Sequence, residues 1–299
     1  MIAVDFFQLL ISGIALGCIY TLMGKGLLIT YLTTRALNFG QGDFLMIAAF
    51  LSMTLLGLGL PVLIAAPLVI AALVVLGLLV ERVAIRPLGA MHAGSSSALA
   101  WILTTLGFGM ILQNVAQIAW GKSRFYSPPL FASEQNKVME VAGVRFFVEE
   151  ALAGAVALSV VAVLYWLLFR SRWGKEVAVV SFDKGTAALL GIDVRRVVAG
   201  SYAIMAALAA VSGIIAGPLT TVQAHMGLLF ILKGFAVVCI GGFANPVGIL
   251  IAGIGFGLVE VFSNYFNSQF GDLYPFAIAL LFLIVRPSGI FGESKTDVR

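Results

Sequence analysis

Between Pro61 and Glu81 stand nineteen residues, VLIAAPLVIAALVVLGLLV, without one polar side chain. A run of about 20 apolar residues in a helix matches the hydrocarbon thickness of a bilayer. The rest of the chain decides between lipid and a large protein core as its surroundings. Of 299 residues, 61% are hydrophobic and only 11% are charged. Soluble domains carry about 25% charged residues, so too few polar side chains remain here to cover a water-facing surface. The expected fold class is all-α: a polytopic membrane protein with eight or nine transmembrane helices. Apolar length places them near 6–30, 38–58, 61–81, 96–119, 149–169, 197–218, 228–242, 246–265 and 273–286. The seventh is short and follows the polar break TVQAHMG, the mark of a broken or re-entrant helix. Such backbone is tolerated at membrane depth only where protein or a water-filled cavity covers it. All of 1–299 reads as a single transmembrane domain.

The segment from Arg170 to Arg196 stands apart, with six basic residues against Glu176, Asp183 and Asp193. The loop ERVAIRPLGAMHAG adds Arg82 and Arg86 against Glu81 alone. Lys and Arg concentrate in cytoplasmic loops, and two spans separate these segments, so both are expected inside. The more mixed loop at about 121–148 then falls outside, and the C-terminal SKTDVR inside. The N-terminus, MIAVDFFQLL, lacks the basic region of a cleavable signal, so the first span is expected to be retained. Gly13 with Gly17, Gly213 with Gly217, and Gly253 with Gly257 follow the small-xxx-small spacing that lets helices approach closely in lipid.

Enzymatic chemistry finds little footing. His92 and His225 are far apart, and no His, Cys or carboxylate cluster has metal-ligand spacing. Gly121-Lys122-Ser123 resembles the end of a phosphate-binding loop, but Ala116 stands where its first glycine is required. Cys18 and Cys239 lie in apolar runs as small hydrophobes. The net charge of +4 includes no basic tract that would suggest nucleic acid.

Polar residues inside spans are costly and become functional candidates by default. Asn38, Gln41 and Asp43 open the second span, with Arg35 just before them and placed to neutralise Asp43. Capping and anchoring a helix is one reading; lining a translocation path is the other. Gln113, Asn114 and Gln117 lie on the fourth span, the first and last sharing a helix face; interhelical hydrogen bonding and a path again stay open. Glu260 lies within the eighth span, where an ionised carboxylate needs a partner or a cavity, and Lys25 and Lys233 are candidates for it.

Five motifs occur in order along the chain: ALNFGQGDF at the head of span two, RPLG after ERVAI, WGKEV with AALLGIDV in the basic segment, KGFAVVCIGGFANPVG, and RPSGIFG near the end. Together they resemble the transmembrane permease subunits of branched-chain (hydrophobic) amino-acid ABC importers. The resemblance implies an ATPase-docking segment at about 171–196 on the cytoplasmic side and a periplasmic loop at about 121–148. Docking contacts would come from Val177, Val180, Ala187, Ala188 and Leu190, with Lys175, Asp183 and Lys184 as a polar rim and Gly191 as the helix C-cap. It also implies a bacterial inner membrane, a homologous second permease, two ATPase subunits and a periplasmic solute-binding protein. ATP and Mg would bind on those ATPases, and this chain would carry no cofactor and no catalytic residue of its own. Two departures, VAVVSFDKG in the docking segment and Ala244–Gly248 after the late glycines, bear on the substrate. Hydrophobic or branched-chain amino acids, urea-like amides and aromatic carboxylates all stay open. The rival reading is an ion-driven secondary transporter with Asp43 and Glu260 as coupling carboxylates.

Overall fold

The computed structural model describes residues 2–87, 97–130, 138–141, 144–243 and 245–290. His92, residues 131–137 of the 121–148 loop, Ala244 and the SKTDVR tail lie outside the described residues.

Among the described residues, nine apolar helices fill the expected positions: α1 (Ile2–Thr34), α2 (Gln41–Gly57), α3 (Val62–Val80), α4 (Ser97–Trp120), α5 (Val148–Arg170), α8 (Val194–Leu219), α9 (Met226–Gly241), α10 (Pro246–Phe266) and α11 (Leu273–Val285). Between α5 and α8 stand two short helices of mixed polarity, α6 (Arg172–Phe182) and α7 (Lys184–Leu189). Six helices among the described residues are long and apolar enough to cross a membrane, and α2, α9 and α11 are shorter. The protein is thus a multi-pass, all-α membrane protein. One small addition breaks the helical pattern. Between α4 and α5, β1 (Val138–Val141) and β2 (Val144–Phe147) form an antiparallel hairpin in which Val138 faces Phe147.

The ends of these helices are set by local chemistry. Asp193 caps α8 by accepting from the Arg195 and Arg196 amides, and Asn245 caps α10 from the Val247 and Gly248 amides with Pro246 in the first turn. Proline suits that position because its missing N–H would be unsatisfied there in any case. Toward the end of α1, Thr30, Thr33 and Thr34 turn their hydroxyls back onto carbonyls three and four residues earlier. Polar side chains satisfied in this way need no water.

The chain divides into two compact units, and α1, α5 and α9 contribute to both. In the first unit, α1 and α10 meet through two of the small-residue pairs. A methyl group added at Gly17 would fall 2.6 Å from the Gly253 carbonyl oxygen, and one at Gly257 would fall 2.4 Å from that of Gly13. Only glycine permits that approach. Phe256 of α10 meets Tyr20 and Phe276 edge-on, each with ring centres 5.7 Å apart. In the second unit, α8 is the central element, packed on α2 and α3. Gly213 sits against the Leu45 carbonyl of α2, and Gly77 of α3 against that of Tyr202.

Candidate functional site

Within the second unit, α2 begins well inside the bundle. Gly40 lies against the Thr105 carbonyl, and Thr54 near the end of α2 accepts from the Trp120 indole at 2.8 Å. Helices α2 and α4 therefore run side by side in the same direction. Thr105 lies eight residues into α4, which at 1.5 Å per residue puts the start of α2 about 12 Å along it. The lead-in from Arg35 to Gly40 is not helical, and Ala36, Asn38 and Gly40 in it are buried. The head of α9 meets this point. The polar break before it is pinned by reciprocal backbone bonds between Val222 and Phe125, both 2.9 Å, and Gly227 then touches the backbone of Gly42. Two helices thus start at one place inside the unit.

A chain of polar groups joins these two heads. Gln113 on α4 donates to Asp43 Oδ1 at 2.8 Å. Its other amide atom, Oε1, lies 3.2 Å from Nδ1 of His225, the residue just before α9. Nδ1 therefore carries the hydrogen, and in the neutral ring Nε2 is left to accept. Nε2 lies 3.3 Å from the Gln117 amide nitrogen. Every link has one donor and one acceptor, so each member fixes the orientation of the next. Asp43 is 5% exposed, while His225 is open.

The other sequence candidates are placed as follows. Asn38 is buried beside Gly40, and its Nδ2 has no hydrogen-bond partner among the described residues. Gln41 is fully buried, with its amide against Gly26 of α1. Asn114 is exposed and donates to the Met110 carbonyl of its own helix. Glu260 belongs to the first unit, where Lys233 holds it at 2.8 Å while also reaching Asp272 at 2.8 Å; Tyr20 donates to the same Glu260 oxygen at 3.0 Å. Arg35 does not reach Asp43. It takes a left-handed conformation at φ 61° and donates to the Ser181 carbonyl at the end of α6.

Helices α6 and α7 make a second surface. Val177, Val180 and Ala187 are buried in a small core with Val197, closed by Trp173, Val179, Ile192 and Val194. Their period of three to four residues gives α6 an inner face. The outer face presents Phe182, Leu189 and Leu190, exposed by 89%, 90% and 67%, beside the exposed Lys175, Asp183, Lys184 and Ala188. Asp183 separates the two helices and caps α7 by accepting from Thr186. That backbone bond holds its carboxyl below the usual aspartate range. The cap is therefore complete at neutral pH and is lost only as pH falls through that lowered value. Gly191 ends α7 at φ 78°, with Ile192 donating to Ala187 and Gly191 to Ala188, a glycine C-terminal cap. Sequence reading missed His225, Phe182 and Leu189. The polar break before α9 pointed to the first. For the other two the signal was an apolar residue on the charged face of a short helix.

A helical bundle with two helices interrupted at a shared polar point, and a separate surface of exposed apolar side chains on two short helices, has the form of a membrane-embedded transport subunit. The chain belongs to the family described as branched-chain amino acid transport system / permease component, which it matches over residues 9–285. It is a permease of the ABC importer type, a membrane component that works with other transporter subunits and is not the ATPase itself. Its relatives include the high-affinity branched-chain amino acid transport system permease protein LivH of Salmonella typhimurium strain LT2. That protein is 27% identical over 98% of this chain and 97% of its own length. LivH of Escherichia coli K12 is 27% identical over the same shares. BraD of Pseudomonas aeruginosa is 28% identical, again over 98% of this chain and 97% of BraD. Among solved structures, a chain of PsaBC from Streptococcus pneumoniae in complex with Fab is similar at 17% identity and a TM-score of 0.49, covering 95% of this chain and 92% of that one.

Proposed function

We propose that this chain translocates a small hydrophobic or branched-chain amino acid across a bacterial inner membrane, in an importer driven by ATP hydrolysed on two separate chains. A periplasmic binding protein delivers the solute, a homologous second permease completes the pathway, and the C-terminus is cytoplasmic. ATP and Mg belong to the ATPases, and no cofactor is assigned to this chain. The observation that carries the reading is the outer face of α6 and α7. Three large apolar side chains, Phe182, Leu189 and Leu190, stand exposed on helices outside the apolar spans, braced from within by Val177, Val180 and Ala187. Clustered exposed apolar residues mark interaction sites, and a few such anchors dominate interface energies. A secondary transporter has no use for that surface. The engagement of Glu260 by Lys233 likewise counts against Glu260 as a free coupling carboxylate.

The test is co-purification from membranes expressing the neighbouring transporter genes. Phe182→Ser with Leu189→Ser should weaken retention of the ATPase about 30-fold or more, the loss expected for a buried apolar anchor pair, while the permease still folds. Retention at the wild-type level would refute the docking assignment. Asp183→Lys or Ala188→Trp should leave ATPase bound yet lower the solute moved per ATP hydrolysed.

The polar chain at the heads of α2 and α9 is the proposed solute contact, with Asn38, Gln41, Asp43, Gln113, Gln117 and His225 as its groups. Amides and a single carboxylate can orient a zwitterion without a cluster of like charge to trap it. Gln113→Ala breaks two of the three links of the chain. It should slow uptake about tenfold, while ATPase activity without solute and subunit assembly stay unchanged. Gln113→Glu, which keeps an acceptor for His225 but repels Asp43, should not restore it. Normal uptake by the alanine variant would make these residues packing groups only.

A further inference from the structure

We propose that a cavity at the basic end of the second unit binds the phosphate headgroup of an anionic phospholipid. The cavity, of about 280 Å³, is walled by Thr34 at the end of α1, Glu81 and Arg86 beyond α3, Trp101 of α4, Lys184 of α7 and Arg195 of α8. The rest of its lining is aliphatic.

Three cations thus come from three separate elements to face one carboxylate. Glu81 is buried, and Arg86 and Arg82 already oppose its charge. Among the described residues, none of Arg86, Lys184 and Arg195 forms an ion pair; neighbouring Arg196 is the one matched, with Asp193 at 3.0 Å. Like charges collected in a half-enclosed cavity are unfavourable unless an anion joins them. The site lies where the apolar spans give way to the charged segment, the depth of lipid headgroups. Basic pockets between membrane helices bind anionic headgroups in this way. Trp101 and the aliphatic wall suit the glycerol and upper acyl portion of a lipid and offer nothing to free phosphate.

The full-length permease is purified with its accompanying subunits and exchanged into nanodiscs of phosphatidylcholine with phosphatidylglycerol, and retained lipid is counted by native mass spectrometry. Wild type should retain phosphatidylglycerol selectively. Each Lys or Arg near an anionic surface contributes about fivefold in affinity, so Arg86→Gln with Arg195→Gln should reduce that selectivity about 25-fold. Arg86→Lys with Arg195→Lys should keep most of it, which separates lost charge from lost folding. Lys122→Gln removes one charge beyond the far end of α4 and should change nothing. The proposal is overturned if the double glutamine variant retains phosphatidylglycerol as wild type does, if Lys122→Gln loses it equally, or if inorganic phosphate at equal concentration displaces it.

Discussion

Lys233→Met should destabilise the protein by about 3–5 kcal/mol, the cost of leaving a buried charge without its partner. Lys233 and Glu260 have only 9% and 7% of their side chains exposed, and the same ammonium reaches Asp272, which is 61% exposed. One cation therefore serves two carboxylates, with Tyr20 donating to the inner one at 3.0 Å. The effects of substitution should be unequal for that reason. Glu260→Gln leaves the ammonium with Asp272 and keeps an acceptor for Tyr20, so it should cost less than Lys233→Met. Asp272→Asn breaks only the solvated bond, and exposed pairs are worth about 0–1 kcal/mol. Replacing both buried partners, as Lys233→Met with Glu260→Leu, should recover most of the loss, because a buried pair exchanged for apolar groups is often neutral or better. Thermal unfolding in detergent reads the order directly. A Lys233→Met variant as stable as wild type, or a double variant no better than the single, would remove this cluster from the stabilising core.

That cluster marks a boundary between what was legible in the chain and what was not. The nine apolar segments could be read within a few residues, because lipid exposure demands long runs and leaves little else to choose. The break before α9 was legible for the same reason, TVQAHMG being too polar to continue a span. The start of α2 was less so. Its helix begins at Gln41, not near Asn38, because the lead-in is covered by protein and needs no helix to satisfy it. Pairings across the fold left no local trace. Lys25 and Lys233 were equal candidates for Glu260 until α9 and α10 were folded together, and Arg35 was assigned to Asp43 by proximity when a left-handed turn aims it at Ser181. The charged segment of α6 and α7 shows the same limit in another form. Its apolar residues were evident, but which of them face inward depends on Val197, twenty residues from Val177 along the chain. The family motifs reach further than this, because they fix which segments belong together without showing which atoms meet.

Gly42→Ala should lower transport more than tenfold while leaving most of the protein folded. A methyl group at that position would lie 2.1 Å from the Gly227 carbonyl oxygen, and one at Gly227 would lie 2.6 Å from the Gly42 carbonyl. Both obstacles are backbone, so no side chain can turn aside, and the heads of α2 and α9 must separate. Overpacking of this kind costs about 1–3 kcal/mol, which a protein with eleven α-helices among its described residues can absorb. The polar chain cannot absorb it so easily. Asp43 follows Gly42 directly and His225 lies two residues before Gly227, so a shift of either head displaces the ends of a hydrogen-bonded chain whose links already span 2.8 to 3.3 Å. Hydrogen bonds weaken steeply beyond that range. Gly227→Ala should therefore reproduce the defect from the other side, and the pair together should add little, since either change forces the same separation. Gly57→Ala is the control. It lies in the same helix with nothing within 4 Å of the added methyl, and alanine in place of a helical glycine is neutral or mildly stabilising. Uptake measured beside ATPase activity distinguishes the outcomes. If Gly42→Ala transports as well as Gly57→Ala, the close contact of the two helix heads is incidental, and the polar chain they carry is not where the solute passes.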